Sequence, residues 1–127
     1  MEIPTVLKYA FIFQMIVAFV LGAWFFIAPN TWVDLVGWPY YDPSVDRVMA
    51  SLMIAFGVTS FLGLKADSYE KVEIVVIGEI VYALLATIAM FWFMLAETTA
   101  PMIGWALAGL QVVFLVLFGY SYYIAKE

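Results

Sequence analysis

Residues 72–95, VEIVVIGEIVYALLATIAMFWFML, decide the fold. The run exceeds the roughly 20 residues an α-helix needs to cross a hydrocarbon core of about 30 Å. A membrane β-strand would alternate apolar and polar residues, and this run does not. Three further runs of similar length flank it. One spans about Tyr9 to Ala28 and stops at Pro29-Asn30; another spans about Arg47 to Leu64 and stops at Lys65-Ala66-Asp67. The last starts after Pro101, near Met102, and continues to about Ile124. The first is too long for the apolar region of a signal peptide and no small-residue cleavage site follows it, so it is expected to be retained as a span. The expected fold is all-α: a four-transmembrane-helix bundle forming a single domain over residues 1–127.

Composition agrees. Of the 127 residues 67% are hydrophobic and 12% charged, against about 25% charged in a soluble domain. A chain this short cannot hide so much apolar surface in its own core, so lipid must cover the excess. The net charge of −5, with five scattered basic residues, argues against nucleic acid, whose phosphates require clustered Lys and Arg. Cys and His are both absent. Thiol chemistry, thiolate metal sites and imidazole ligation are therefore excluded, and no metal or cofactor is expected.

Lys8, Lys65, Lys71 and Lys126 fall on one side of the four spans and only Arg47 on the other. By the positive-inside rule both termini are expected in the cytoplasm of a cell membrane. The longest connection, 29–46, then lies outside. Its Trp32, Trp38, Tyr40 and Tyr41 read as interfacial anchors rather than a ligand-binding lid. Within it Thr31–Val36 is expected to form a short helix capped by Asn30 or Thr31. Asp42-Pro43-Ser44 reads as the turn that starts the second span, with Arg47 paired to Asp46 or to lipid headgroups.

Small residues recur at helical spacing: Ala10, Gln14, Ala18, Gly22; Ala50, Ile54, Gly57, Ser60; Glu79, Ala83, Thr87; Gly104, Ala108, Gln111, Gly119. Such stripes let membrane helices approach closely, while most of the large aromatics and branched aliphatics are expected to face lipid. The two halves also echo one another. Gln14, Pro29 and Gly37-Trp38 correspond to Glu79, Pro101 and Gly104-Trp105, and Phe56-Gly57 to Phe118-Gly119. That pattern suggests a parallel two-helix repeat about an axis along the membrane normal.

Glu79 is the one carboxylate well inside a span, and an intramembrane acid is a functional-site hypothesis by default. It lies roughly 10 Å into the bilayer at about 1.5 Å per residue. Gln14 shares its depth, Tyr82 its helix face, and Thr59, Ser60, Tyr120 and Ser121 lie in the same half of the membrane. The candidate ion- or ligand-binding residues are Glu79, Gln14, Tyr82, Ser60 and Gln111. No catalytic residue is identified. Asp42 and Asp46 are four apart, but acid–base work by a carboxylate pair needs a substrate cleft, and none is evident in the sequence.

Gly22 to Pro29, Gly37-Trp38-Pro39, Asp42-Pro43 and Arg47 leading into Phe56-Gly57 resemble the DoxX-like class of small prokaryotic four-helix membrane proteins. The resemblance covers about a third of the chain and implies an architecture, with no site residue carried over. In span number the chain is also similar to small multidrug transporters, whose essential acid belongs in span one, where this chain has Gln14. Three functions are expected in decreasing order. First is a non-enzymatic membrane subunit or homo-oligomer, with the bilayer and another membrane subunit as its partners. Second is a proton- or cation-coupled carrier using Glu79, and third an enzyme acting on lipid-like substrates.

Overall fold

A computed structural model describes all of residues 1–127. Its regular structure is helical throughout: α1 (Thr5–Ile27), α2 (Pro29–Val36), α3 (Pro43–Lys65), α4 (Glu73–Ala96) and α5 (Ile103–Lys126), with one 3-10 turn at Tyr69–Lys71. The four long helices are each long and apolar enough to span a membrane, which makes this a multi-pass membrane protein built as a four-helix bundle.

Local chemistry sets the boundaries. Pro29 cannot extend α1 and forces the residue before it out of the helical region; Ala28 sits at φ −140°. Pro29 then opens α2, where a missing N–H costs nothing. Neither Asn30 nor Thr31 caps α2 as expected. Instead the Thr31 hydroxyl donates to the Ala28 carbonyl (2.7 Å) and accepts from Trp24 Nε1 (2.7 Å), tying α2 back onto α1. α2 ends at Gly37, whose φ of +72° is the left-handed conformation that glycine adopts without strain. α3 begins at Pro43, earlier than expected, because Asp42 caps it: Oδ1 accepts from the Ser44 and Val45 amides (3.1 and 3.2 Å) and from the Ser44 hydroxyl (2.7 Å).

The bundle consists of two helix pairs. α1 packs along α3 and α4 along α5; α1 and α5 join the pairs, while α3 and α4 scarcely meet. Lipid offers no hydrophobic drive for helix association, so close backbone approach at small residues replaces it. A Cβ on Gly22 would lie 2.9 Å from Ile54 Cγ1 and 3.4 Å from the Ala50 carbonyl oxygen, and one on Gly57 or Gly63 would strike the ring of Phe19 or Phe11. The stripes thus face inward as the spacing predicts, with one exception. Gly119 has open space about it, and the inward face of α5 continues through Phe114 and Phe118 instead. Nor do all large aromatics face lipid: Phe11 and Phe118 are fully buried, their rings 5.9 Å apart. The two Gly-Trp pairs differ as well. Gly37-Trp38 follows α2, whereas Gly104-Trp105 lies in the first turn of α5.

The apolar core thickens towards the end of the bundle that carries both termini. There Ile3, Leu7 and Phe11 pack with Tyr69, Val72 and Phe118, and Lys126–Glu73 (3.0 Å) and Lys71–Asp67 (2.8 Å) rim the end. These rim pairs are solvent-exposed and worth little energetically. That end is closed by packing. The α2 end is not.

Candidate intramembrane binding cavity

Because α3 and α4 stand apart, the interior towards the α2 end holds a cavity of about 440 Å³. This falls in the range of small-molecule sites, about 300–1,000 Å³. Its walls are apolar, with Val17 and Leu21 from α1, Met53 from α3, Ala86 from α4, and Leu107 and Leu110 from α5. Gln14 and Phe25 both line it, and the rise over the eleven helical steps from one to the other puts its length at roughly 16 Å. It is a slot along the bundle axis, polar only at its two ends.

Gln14, Tyr82 and Gln111 form the base. Directly behind lies Glu79, 1% exposed against 5% for Gln14, so both are buried within the bundle. Gln14 Nε2 donates to both Glu79 carboxylate oxygens, at 3.4 and 3.3 Å. Both bonds are long, and this one amide is the only partner the carboxyl has. With its nitrogen so engaged, Gln14 has its carbonyl oxygen left to offer as an acceptor. Across the base the Gln111 amide faces Tyr82, and Gln111 Oε1 is buried with no hydrogen-bond partner. The Tyr82 ring rests on Phe56 (5.1 Å), bridging the gap between α3 and α4.

Of the candidate residues read from the sequence, Gln14, Tyr82 and Gln111 reach the cavity, and Glu79 stands behind Gln14 without lining it. Ser60 is fully buried on the stripe between Gly57 and Gly63 that meets α1, and its hydroxyl is unpartnered. Thr59 and Ser121 hydrogen-bond to carbonyls of their own helices, and Tyr120 is exposed. The polar layer is therefore narrower than expected, drawn from α1, α4 and α5.

The other end was not legible. Trp32, Trp38 and Tyr40 line the cavity together with Asp42 and Asp46, so the aromatic connection covers an interior slot as well as sitting at an interface. Ring contacts run from Phe25 to Trp32 (4.8 Å), to Trp38 (5.8 Å) and to Phe93 (5.0 Å), linking α1 to α4 over the slot. Asp42 spends Oδ1 on its cap, and the Ser44 hydroxyl and Val45 amide there hold its pKa below the usual carboxylate value. Glu97 beside Tyr40 pushes that phenol's pKa up by accepting its hydrogen bond. Asp46 Oδ2 is buried without a partner. Arg47 does not pair with Asp46 as expected; its Nε donates to the Phe26 carbonyl (3.1 Å) at the end of α1. That carbonyl belongs to the last turn of a helix, where orphan acceptors and the negative end of the dipole attract a cation. The amphipathic start of α3, with Asp46 inward and Arg47 turned to α1, was the available signal.

No basic side chain lines the cavity, and no three acidic residues converge to hold a metal ion. The chain matches no family model, no curated protein and no solved structure.

Proposed function

We propose that this protein binds a small, mainly apolar molecule inside the membrane, admitted at the α2 end. The observation that supports this reading most is the 440 Å³ slot, with apolar walls and polar groups confined to its ends. A subunit whose role is only to pack against a partner has no use for such a space, so the cavity favours a ligand-binding protein over the structural subunit or homo-oligomer first expected. The Lys bias supports an orientation with the termini in the cytoplasm and the mouth on the outer face of the cell membrane. A thiol reagent that cannot cross the membrane should label Asp34→Cys but not Lys71→Cys in intact cells, and the reverse pattern would invert the orientation. We also propose kinship with the DoxX-like class, supported by Gly22 to Pro29, Gly37-Trp38-Pro39, Asp42-Pro43 and Arg47 leading into Phe56-Gly57.

The ligand-binding reading is tested with 1-octanol as a neutral probe, titrated against protein in nanodiscs. Tryptophan fluorescence reports occupancy, because Trp32 and Trp38 line the slot. The parent should saturate, and Ala86→Phe, which fills the slot, should bind at least fivefold more weakly. Non-saturable change, or equal affinity in the two proteins, would sink it.

A second reading, a proton- or cation-coupled carrier, draws on Glu79. This titratable group sits between the slot and the closed end, held by an amide that itself faces the slot. Glu79→Gln keeps shape and hydrogen bonding but cannot titrate. Octanol binding preserved with coupled proton flux abolished in proteoliposomes is the carrier's signature; flux unchanged by the substitution contradicts it.

A further inference from the structure

The two buried polar atoms of the slot lining that lack a hydrogen-bond partner are both acceptors. Asp46 Oδ2 at the mouth and Gln111 Oε1 at the base are buried and without partners, and Gln14 offers its remaining carbonyl oxygen beside Gln111. A buried acceptor left unpaired carries a desolvation penalty, so an occupant that brings donors gains where one that brings acceptors does not. The charges agree. Asp42 and Asp46 both line the slot, no Lys or Arg does, and Glu97 lies beside Tyr40 at the same end. The nearest cation in sequence, Arg47, does not line the slot; its Nε donates to the Phe26 carbonyl at the end of α1.

The mouth is lined by aromatic rings as well. Trp32 and Trp38 lie 5.8 Å apart, ring to ring, and Tyr40 completes the lining beside the two aspartates. Ammonium groups are attracted to aromatic rings, Trp most strongly. Low-dielectric walls lengthen the reach of the carboxylates. Below the mouth the slot is too apolar to favour a second charge.

We propose, resting on the ligand-binding reading above, that the occupant is an organic cation: an ammonium head seated among Trp32, Trp38, Tyr40, Asp42 and Asp46, with an apolar body extending towards Gln14 and Gln111. An elongated amphiphile fits better than a compact ion, because the slot runs roughly 16 Å along the bundle. Selectivity arises at the mouth; the walls supply affinity for any apolar chain.

The test compares three probes with the same eight-carbon chain: octylammonium, 1-octanol and octyl sulfate, each titrated at neutral pH against the full chain in nanodiscs with empty nanodiscs as blank. The parent should bind octylammonium at least tenfold more tightly than octanol, and octyl sulfate more weakly than octanol. Asp42→Asn/Asp46→Asn should bring the ammonium to within about threefold of octanol. Asn at 42 still caps α3, and single Asp46→Asn, which leaves the cap untouched, should lose part of the preference. Equal affinity of the ammonium and octanol in the parent, or a preference that survives the double substitution, overturns the cation assignment while the binding reading stands. Failure of all three probes to saturate removes both.

Discussion

At the scale of single residues, Gln14 and Glu79 define the interior. Both stand out in the sequence as polar groups at one depth of the membrane, and that shared depth is enough to pair them. Their bond runs between α1 and α4, helices that otherwise touch little. Interhelical hydrogen bonds in membranes average about 0.6 kcal/mol and reach about 1.7. Stranding one partner costs more than losing the bond, because a buried group is left unpaired. Gln14→Leu is therefore expected to lower unfolding stability in detergent by about 1–3 kcal/mol. Glu79→Gln should lose under about 1 kcal/mol, and Gln14→Leu/Glu79→Leu should recover most of the single-variant loss. A double variant no better than the single would show that the two residues act independently. What the sequence does not disclose is Gln111 Oε1 or Asp46 Oδ2 as a lone acceptor, since orphan status depends on what every neighbouring helix fails to supply.

Tyr69 offers a cleaner residue-level test outside the spans. It is 2% exposed, its hydroxyl lacks a partner, and burial with nearby Glu73 pushes its pKa from 10 up to about 12. A folded-state pKa above the unfolded one means that the fold favours the neutral phenol. The contribution is fully present below about pH 10 and is lost as pH rises towards 12. Tyr69→Phe should match or exceed the parent at neutral pH, since it removes an unsatisfied hydroxyl, and its stability should fall less between pH 10 and 12. Identical alkaline profiles in thermal melts would contradict this.

At the scale of elements, length and hydropathy were enough to place four helices within a few residues of their observed ends. The early start of α3 shows where the reading stopped short. Asp42-Pro43-Ser44 was recognisable as a turn, yet only the cap bonds show that the helix proper begins at Pro43, and that start carries Asp46 inward as part of α3. The small-residue stripes were legible for the same reason that they work: backbone contact tolerates nothing larger. Gly22 meets the Ala50 backbone, whereas Gly109 has open space. Gly22→Val is expected to destabilise by about 1–3 kcal/mol, the usual cost of overpacking. Gly109→Ala should be neutral or stabilising by up to about 1 kcal/mol through helix propensity. Equal effects in chemical denaturation would refute the close approach of α1 and α3.

At the scale of the whole molecule, the feature that matters is an asymmetry along the bundle axis. Core packing seals the end bearing the termini, while separation of α3 from α4 opens the interior towards α2. Neither follows from hydropathy, which counts spans but says nothing of which neighbours stand apart. It also explains why 29–46 was read as an anchor: Trp and Tyr at a membrane interface look the same in sequence whether they face headgroups or cover a slot. The central claim, an open slot reaching mid-membrane, can be tested without knowing any ligand. The chain has no cysteine, so Met53→Cys on the slot wall and Val113→Cys on the exposed face of α5 can be compared at similar depth. In nanodiscs a charged, water-soluble methanethiosulfonate should modify Met53→Cys readily, at least tenfold faster than Val113→Cys, and Ala86→Phe should slow it. If both cysteines prove equally inert, or equally reactive, the slot is not open and the account of function built on it is wrong.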